Sequence, residues 1–547
     1  MNLLKVTHYL SNPRGLFLFF LVMGAVVFAN GLNHPFMIDD HAFFDEAGRD
    51  PKNLWINFIP DKSKVLNMEG SPTEVYYRPF ALIIPKLMYW LLHGNAFGMH
   101  LFNLLAFVCA VWLLARWLGR LSGDRWFGIL AGVFVLVHPL NGIIVNFKTA
   151  GIFVGRVVCL IYAADFIIRG PRLVYQLYAV ALFLAALFFH ESAFILPPCV
   201  LCLSVLIQKK TWKEALRQGA PLWITAILYF LLRLQWASLS ENIFNKFGGY
   251  HMSLSEALAS WFSLQAWYLS KLIIPTGISI FILKPVVYGY AGVWIIGGMA
   301  FWCLTICLLW KLFKNNPWVW IGVSWLFLGL MMMGVGSLFH GQELMIEPHW
   351  MVFSSIGFFI ILAQSFIFLF SRFKLAAGIC FAVVLAGWCT TAWSYNALWN
   401  DELRYSQFWL KQSPTFTPIN MYMARAYFAK GQLDLAATYY KRALTGQRPD
   451  YLMYSNLGSI ALLQGRFEEA RMYLEKALVI EPKAKNAMNV LGVVYVKQGD
   501  LIQAEKYFRL SVAANPFDTT AQRNLDFFLR IKSSKRDASS ERVILER

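Results

Sequence analysis

The chain has 547 residues, of which 58% are hydrophobic and only 15% are charged, and its mean hydropathy is +0.50. Soluble globular proteins carry about 25% charged residues, so this composition excludes a single soluble domain, a disordered chain and a coiled coil. The net charge is +18. In a membrane protein such an excess is explained first by the Lys and Arg that accumulate in cytoplasmic loops, and not by a nucleic-acid partner. No nucleic acid is predicted as a partner.

The charged residues are unevenly distributed along the chain. Residues 1–398 contain 27 Lys and Arg and 16 Asp and Glu, whereas residues 399–547 contain 22 and 15. The first part has the composition of a membrane domain and the second that of a soluble domain. We therefore predict a polytopic transmembrane domain over 1–398, a soluble domain over 399–530 and a polar tail over 531–547.

The apolar segments of the first domain are long enough to cross a bilayer. A transmembrane helix needs about 20 mostly apolar residues in succession. Eleven segments are predicted as spans, and the first has its N-terminus in the cytoplasm. They are 15–32, 98–118, 124–140, 150–168, 173–189, 192–208, 219–236, 291–313, 317–337, 351–371 and 375–395.

Every second connection between these segments is basic, which predicts how they are oriented. Lys and Arg accumulate in cytoplasmic loops, so the loops 33–97 and 237–290 and the soluble domain are expected outside the cytoplasm. The expected location is a bacterial inner membrane with the soluble domain in the periplasm, or the endoplasmic reticulum membrane with that domain in the lumen. The basic residues of the first two such connections are Arg116, Arg120, Arg125, Arg169 and Arg172.

Two further apolar segments complicate the count. Residues 80–93 contain Pro85 and Lys86, and residues 257–283 contain Pro275. We interpret both segments as helices that lie at the outer membrane surface or dip into it. A thirteen-span arrangement, in which both segments cross, is the alternative.

The soluble domain repeats itself every 34 residues. This period resembles the tetratricopeptide repeat, in which two helices are joined by a turn. The pattern covers about 416–516 and is followed by a capping helix near 518–530, so an α-solenoid is predicted. Such stacks present a concave groove for peptides; the alternative is docking to the chain's own membrane domain. The repeated positions are Gly431, Gly465 and Gly499, and Ala436, Ala470 and Ala504.

Two adjacent carboxylates follow the first span. Asp39 and Asp40 come a few residues after Leu32, on the predicted outer face. A carboxylate can deprotonate a hydroxyl group as a general base, and a neighbouring acid can raise its pKa or help to hold a metal. The alternative is a solvated loop or a helix cap.

Other polar residues are predicted at the same membrane face. Charged groups inside a bilayer are costly and usually line a cavity. For Arg156 and Arg233 the alternative is that the side chain extends to the lipid interface, and for His138 it is a hydrogen-bonded core position. The polar residues at this face are Tyr77, Arg78, His138, Arg156, His190, Glu191, Arg233 and Glu347.

These motifs together resemble the transmembrane and tetratricopeptide-repeat (TMTC) family of GT-C superfamily glycosyltransferases. The similarity rests on the paired Asp after span one, the Tyr-Arg-Pro triplet at 77–79, the His-Pro pair at 138–139, the Gly-Arg pair at 155–156 and the repeats that follow. His190 stands where the family has a lysine. The chain resembles a distant, bacterial member.

The resemblance implies an enzyme that moves a sugar from a polyprenyl-phosphate-linked donor to a hydroxyl acceptor, as in protein O-glycosylation. Asp39 would be the general base and Asp40 would orient it. Arginine suits a phosphate leaving group through forked hydrogen bonds, and preorganised positive charge lowers the barrier. The donor phosphate would be bound by Arg78, Arg156, Arg233 and His190, with Tyr77, His138, Glu191 and Glu347 in supporting roles.

Cofactors and partners follow from the same resemblance. No metal ligand set is assigned, but the Asp pair with Glu191 or Glu347 would suit Mg²⁺ or Mn²⁺, which prefer oxygen ligands. The expected partners are the lipid-linked donor, the bilayer, and a protein or peptide acceptor held by the repeats. Two other functions stay open: a non-enzymatic membrane-anchored scaffold for envelope assembly, and a transporter.

Overall fold

The computed structural model describes residues 12–37, 78–147, 152–236, 253–280, 282–287, 290–338, 343–346, 348–413, 417–445, 451–514, 520–530 and 532. The chain divides into two compact units, Met1–Asp401 and Glu402–Arg547. Both are built mainly of helices. The predicted domain boundary between 398 and 399 falls at the end of the last long helix of the first unit.

The first unit contains fourteen of the described α-helices. They are α1 (Pro13–Phe28), α2 (Pro79–Leu91), α3 (Ala96–Ser122), α4 (Arg125–Val137), α5 (Ile143–Asn146), α6 (Ile152–Arg169), α7 (Leu173–Phe189), α8 (Leu196–Leu206), α9 (Trp212–Trp236), α10 (Leu254–Ile273), α11 (Ala291–Phe313), α12 (Pro317–Leu338), α13 (Met351–Arg372) and α14 (Lys374–Leu398).

A helix lies at each of the eleven segments predicted as spans. Among the described residues, six helices are long and apolar enough to cross a membrane, and a bent pair makes a seventh if it counts as one span. The other apolar helices are shorter. The eleven-span count therefore stays a prediction. The six are Pro13–Gly31, Ala96–Ser122, Trp212–Leu232, Ala291–Phe313, Met351–Arg372 and Lys374–Leu398.

The bent pair is interrupted at His138 and Pro139. The helices Arg125–Val137 and Pro139–Asn146 meet at an angle of 63°. Proline has no backbone N–H and disfavours the helical conformation of the residue before it, and His138 accordingly has an extended backbone, with φ −66° and ψ 127°. The His138 side chain then caps the following turn by accepting a hydrogen bond from the Leu140 backbone N–H.

Helix α11 has the surface of a helix that faces lipid. Its side chains are apolar on all sides, and Val293, Ile296 and Leu304 are 68–70% exposed. A helix that is hydrophobic all round is buried in a protein core or spans a membrane. Since α11 is not buried within this unit, its exposed apolar surface supports a position in the bilayer.

Two short strands interrupt the otherwise helical architecture that the sequence predicted. Strand β1 (Ile282–Pro285) pairs with β2 (Glu343–Ile346) in an antiparallel ladder that places Ile282 opposite Ile346. The segment 257–283, predicted as one helix, ends as a helix at Ile273. Pro275 follows two residues later, and Gly277 adopts a positive φ of 65°, so the helix cannot continue into the strand.

The second unit has seven described α-helices and a helical stretch over 520–530. The glycines at the predicted turns, Gly431, Gly465 and Gly499, have φ values of 72–85°. This left-handed conformation favours glycine, which has no Cβ. The seven helices are α15 (Glu402–Gln412), α16 (Thr417–Ala429), α17 (Leu433–Leu444), α18 (Tyr451–Leu463), α19 (Phe467–Ile480), α20 (Lys485–Gln498) and α21 (Leu501–Ala514).

The two helices of each repeat pack through small residues and a pair of tyrosines. Ala436, Ala470 and Ala504 are fully buried, as the 34-residue pattern predicted. Stacked tyrosine rings join the helices of the first and third repeats, with centroids 5.3 Å apart for Tyr427 and Tyr439 and 5.6 Å apart for Tyr495 and Tyr507. The repeats therefore form helix pairs with their own apolar cores.

Gly458→Leu should destabilise the second repeat. A Cβ atom at Gly458 would lie 2.5 Å from Cγ of Leu474 and 3.2 Å from the Ala470 carbonyl oxygen. Overpacking of this kind costs about 1–3 kcal/mol of folding free energy. The measurement is proteolysis of the 402–547 domain in the purified full-length protein at increasing temperature. Ala429→Leu, at an exposed position, is the control and should leave the midpoint unchanged; equal shifts would contradict the packing argument.

Candidate functional site

Several of the predicted site residues lie outside the described part of the chain. These are Asp39, Asp40, Tyr77 and Glu347. Arg233 lies within helix α9 near its C-terminal end, but its side chain is likewise outside the described set. The predicted site residues whose side chains the structure describes are Arg78, His138, Arg156, His190 and Glu191.

An ion pair joins two motifs that are far apart in sequence. Nε of Arg78 donates to Oε2 of Glu191 at 2.7 Å. Arg78 directly precedes helix α2, and Glu191 begins a short 3-10 turn after helix α7. Both side chains are partly exposed, at 21% and 27%. The pair thus lies at a solvent-accessible edge of the helical unit.

His190 lies beside the same carboxylate. Its Nδ1 accepts a hydrogen bond from the Ser192 backbone N–H at 3.1 Å and lies 3.7 Å from Oε2 of Glu191. Because the Nδ1 lone pair accepts this N–H, the neutral ring carries its proton on Nε2. His190 can therefore donate a hydrogen bond through Nε2 without being charged.

Arg156 is fully buried next to these groups. Nη1 of Arg156 donates to Oγ of Ser192, and its Cζ lies 5.3 Å from the centre of the Phe353 ring. Arg156 also interacts electrostatically with both Arg78 and Glu191. A buried arginine is costly inside a membrane and commonly faces the protein interior or a cavity. Four of the predicted residues, Arg78, Arg156, His190 and Glu191, therefore come together; we call them, with Ser192, the arginine–glutamate cluster.

The packing around Gly155 explains why these elements meet. A Cβ atom at Gly155 would lie 2.4 Å from the Phe189 ring, so only glycine allows helices α6 and α7 to approach so closely here. Phe80 in α2 packs against Phe189 with ring centroids 5.3 Å apart. These contacts hold Arg78, Arg156 and His190 at the meeting point of three elements.

His138 occupies a different environment. Its Nε2 is 3.1 Å from the Leu272 carbonyl oxygen, its Nδ1 accepts from the Leu140 N–H at 3.3 Å, and its ring lies 4.5 Å from that of Trp388. It is completely buried. These contacts are those of a core histidine, which was the alternative for this residue, and they position the break between α4 and the following turn.

A second polar group, not predicted from the sequence, lies at the end of α1. Nδ2 of Asn146 donates to Oδ1 of Asn396 at 2.6 Å, and Nδ2 of Asn396 donates to Oδ1 of Asn30 and to the Val27 carbonyl oxygen. These bonds join α1, α5 and α14 just before the loop that contains Asp39. An asparagine inside an apolar segment is the only sequence signal that could have indicated Asn396.

Two buried histidines lie close to this group. The rings of His34 and His100 are 3.7 Å apart, and their Nδ1 atoms face the carbonyl oxygens of Pro35 and Val145 at 3.0 and 2.8 Å. Both rings are buried. In neutral rings these contacts place the proton on Nδ1, since a carbonyl oxygen only accepts. They fix the chain between α1 and the loop that follows.

The predicted Mg²⁺ or Mn²⁺ site lies mostly outside the described residues. In the ranges that the structure describes, no three side chains of His, Cys, Asp or Glu come together as metal ligands. The predicted oxygen ligands Asp39, Asp40 and Glu347 lie outside those ranges. Binding of Mg²⁺ or Mn²⁺ therefore stays a prediction.

The chain is similar to several known proteins over part of its length. The proteins include the CTR9 homolog of Arabidopsis thaliana, 29% identical over 103 residues, which are 18% of this chain and 9% of that protein. The uncharacterized protein ycf37 of Pyropia yezoensis is 29% identical over 128 residues, 23% of this chain and 72% of that protein. The chain thus spans less than a tenth of the first relative and most of the second.

The solved tetratricopeptide-repeat domain of Arabidopsis OM64 is 19% identical and covers 21% of this chain and 94% of its own, with a TM-score of 0.20. The family model of the tetratricopeptide repeat matches residues 449–515, within the predicted range of about 416–516. The second unit of the chain therefore contains tetratricopeptide repeats.

Proposed function

We propose that the chain is a membrane glycosyltransferase, which transfers a sugar from a polyprenyl-phosphate-linked donor to a hydroxyl group of a protein on the extracytoplasmic side. The observation that carries the proposal is the arginine–glutamate cluster, in which Arg78 and Arg156 lie next to the single carboxylate of Glu191. The eleven-span topology and the periplasmic repeats belong to the same proposal.

The charge of the cluster suits a phosphate group. Two guanidinium groups and one carboxylate leave one positive charge, because His190 is neutral in the hydrogen-bonding arrangement described above. Arginine forms bidentate hydrogen bonds to phosphate oxygens. Glu191 accepts the hydrogen bond from Nε of Arg78, and this contact orients the guanidinium group of Arg78 at the cluster.

The cluster would act on the leaving group and the Asp pair on the acceptor. As the glycosidic bond breaks, the bonding electrons go to the phosphate oxygen, and Arg78, Arg156 and the Nε2 proton of His190 would stabilise that charge. We assign the acceptor proton to Asp39 and the orientation of Asp39 to Asp40. Direct attack of the acceptor oxygen would invert the anomeric carbon. Arg233, Tyr77 and Glu347 keep their assigned roles as part of this proposal.

The proposal is tested by glycoproteomics of the cell envelope. Cells producing the unaltered chain are compared with cells producing Arg78→Gln, at equal amounts of membrane-inserted protein. We expect the glycopeptides that depend on the chain to fall about 10- to 100-fold in the Arg78 variant, since a charged hydrogen bond to a developing oxyanion is lost. Arg172→Gln, at an exposed position, is the matched control. An unchanged set of glycopeptides in Arg78→Gln would contradict the proposal.

A non-enzymatic, membrane-anchored scaffold for envelope assembly is the second candidate. The comparisons favour it, because they match the repeats, and repeat solenoids bind partners along a concave surface. It predicts that Arg78 and Arg156 can be replaced without a phenotype, whereas loss of the repeats abolishes function.

Deletion of residues 416–530 separates the two roles of the repeats. If the repeats hold a protein acceptor, deletion should reduce transfer to protein acceptors about 10-fold or more, because an acceptor held nearby reacts at a raised effective concentration. Transfer to water or to a short soluble acceptor should persist. The measurement compares both acceptors in the same membranes. Equal loss of both would show that the repeats only support the membrane domain.

A further inference from the structure

A second cluster of arginines surrounds a cavity at the other end of the helices of the first unit. The cavity has a volume of about 580 Å³ and lies between α1, α3, α4 and α6. It is distinct from the arginine–glutamate cluster, with which it shares no residue. We call it the basic pocket. Its charged lining residues are Arg116, Arg120, Arg125, Arg169 and Asp165.

One buried carboxylate organises part of this pocket. Asp165 is 5% exposed and accepts hydrogen bonds from Arg120 and, at 2.8 Å, from Nε of Arg169. The two arginines remain 54% and 45% exposed. A single carboxylate thus fixes two guanidinium groups, and the charged side chains lining the cavity still carry three net positive charges.

The other two arginines lie against tryptophan rings. Cζ of Arg116 is 4.8 Å from the Trp112 ring centre, and Cζ of Arg125 is 5.6 Å from that of Trp126. A guanidinium held over an aromatic ring by a cation–π contact keeps its N–H donors in its own plane, where they can hydrogen-bond to an anion. Asp124, the nearest other carboxylate in sequence, caps helix α4 by accepting from the Trp126 and Phe127 N–H groups.

The pocket combines this charge with apolar walls. Its lining includes Leu16, Ile129 and Ile161, and Tyr162 is 38% exposed beside them. A free phosphate ion would use the arginines alone. A lipid would use both parts, with its phosphate on the arginines and its acyl chains along the apolar helices.

We propose that the basic pocket binds the phosphate headgroup of an anionic phospholipid in the cytoplasmic leaflet. Basic pockets between transmembrane helices on this side bind anionic lipid headgroups. The leaflet follows from the orientation in the proposed function, in which Arg116, Arg120 and Arg169 face the cytoplasm. The binding chemistry itself rests on the pocket and does not require sugar transfer.

The test is native mass spectrometry of the purified full-length protein with phosphatidylglycerol and with phosphatidylcholine. We expect retention of phosphatidylglycerol and about 10- to 30-fold weaker binding in the double variant Arg116→Gln and Arg125→Gln, since each basic residue near a lipid headgroup contributes about 1 kcal/mol. Arg172→Gln with Arg217→Gln removes the same charge from exposed positions outside the pocket and should bind as the unaltered protein does.

Three outcomes would overturn the proposal: equal retention of both lipids, equal loss in the pocket and control variants, or displacement of phosphatidylglycerol by inorganic phosphate at millimolar concentration. If the pocket variant does not fold, the unfolding temperature of the unaltered protein tests the proposal. Phosphatidylglycerol should raise that temperature and phosphatidylcholine should not; an equal effect of the two lipids would contradict the proposal. Sugar transfer is measured separately, so failure of lipid binding and failure of the proposed function are distinguishable.

Discussion

Asp39→Asn should reduce sugar transfer by about 100-fold or more while leaving insertion into the membrane intact. The asparagine side chain has nearly the same shape but cannot accept a proton from the attacking hydroxyl group, and general-base catalysis contributes about 10²- to 10⁴-fold. The measurement is transfer of label from a polyprenyl-phosphate sugar to envelope protein in membranes that contain equal amounts of each variant.

Two matched variants make this result specific. Asp45→Asn removes the same charge from the same loop and should retain transfer. Asp40→Asn should show a smaller loss, because Asp40 orients the base and does not itself take the proton. If Asp39→Asn retains full transfer while Asp40→Asn loses it, the two roles are exchanged; if both retain it, the Asp pair is not the base.

The apolar pattern predicted where helices lie, because a run of apolar residues has few other structures available in a bilayer. It predicted some of their ends less well. The helix predicted over 98–118 extends from Ala96 to Ser122, and the one predicted over 219–236 begins at Trp212. Hydropathy alone does not fix a helix end, which here depends on local caps such as the His190 side chain accepting from Ser192.

The repeats were predictable for a different reason. Their signal is a period, and a 34-residue spacing of Gly and Ala is independent of any one side-chain contact. The strands β1 and β2 had no such signal, since each has only four residues and residues 286–342 of the chain separate them. Short ladders of this kind depend on tertiary contacts that a local pattern does not contain.

The sequence predicted that the members of the arginine–glutamate cluster share one site, but not which atoms contact each other. Arg78, Arg156 and Glu191 were all expected at the same membrane face, and a shared face limits how far apart they can be. The partners Ser192 and Phe353 were missed. Serine and phenylalanine are common in apolar helices. The close approach of α6 and α7 at Gly155 brings Ser192 to Arg156, and the packing of α13 brings Phe353; neither contact has a signal in the local sequence.

The contacts of Arg156 suit a role in binding an anion. Its side chain is fully buried, interacts electrostatically with both Arg78 and Glu191, and donates to the hydroxyl group of Ser192. Two guanidinium groups beside the carboxylate of Glu191 attract an anion, and the low dielectric of a buried site strengthens that attraction.

Arg156→Gln should therefore lower kcat/KM for sugar transfer by about 100- to 1,000-fold, the usual effect of removing one preorganised donor to a developing oxyanion. Glutamine keeps the methylene stem and a polar end without a charge, so folding should be affected less than transfer. Arg156→Lys keeps the charge but loses the fork, and we expect an intermediate loss. The measurement is initial transfer rate against donor concentration, with the unfolding temperature of each variant.

The dependence on donor concentration distinguishes the chemistry from simple binding. If Arg156 stabilises the departing phosphate in the transition state, excess donor should not restore the rate, because the loss is in kcat. If Arg156 only binds the donor, excess donor should restore it. Ser192→Ala removes a contact that orients Arg156 and should cost less than Arg156→Gln. Unaltered transfer in Arg156→Gln, with Arg172→Gln behaving identically, would exclude the cluster as the leaving-group site and favour the scaffold.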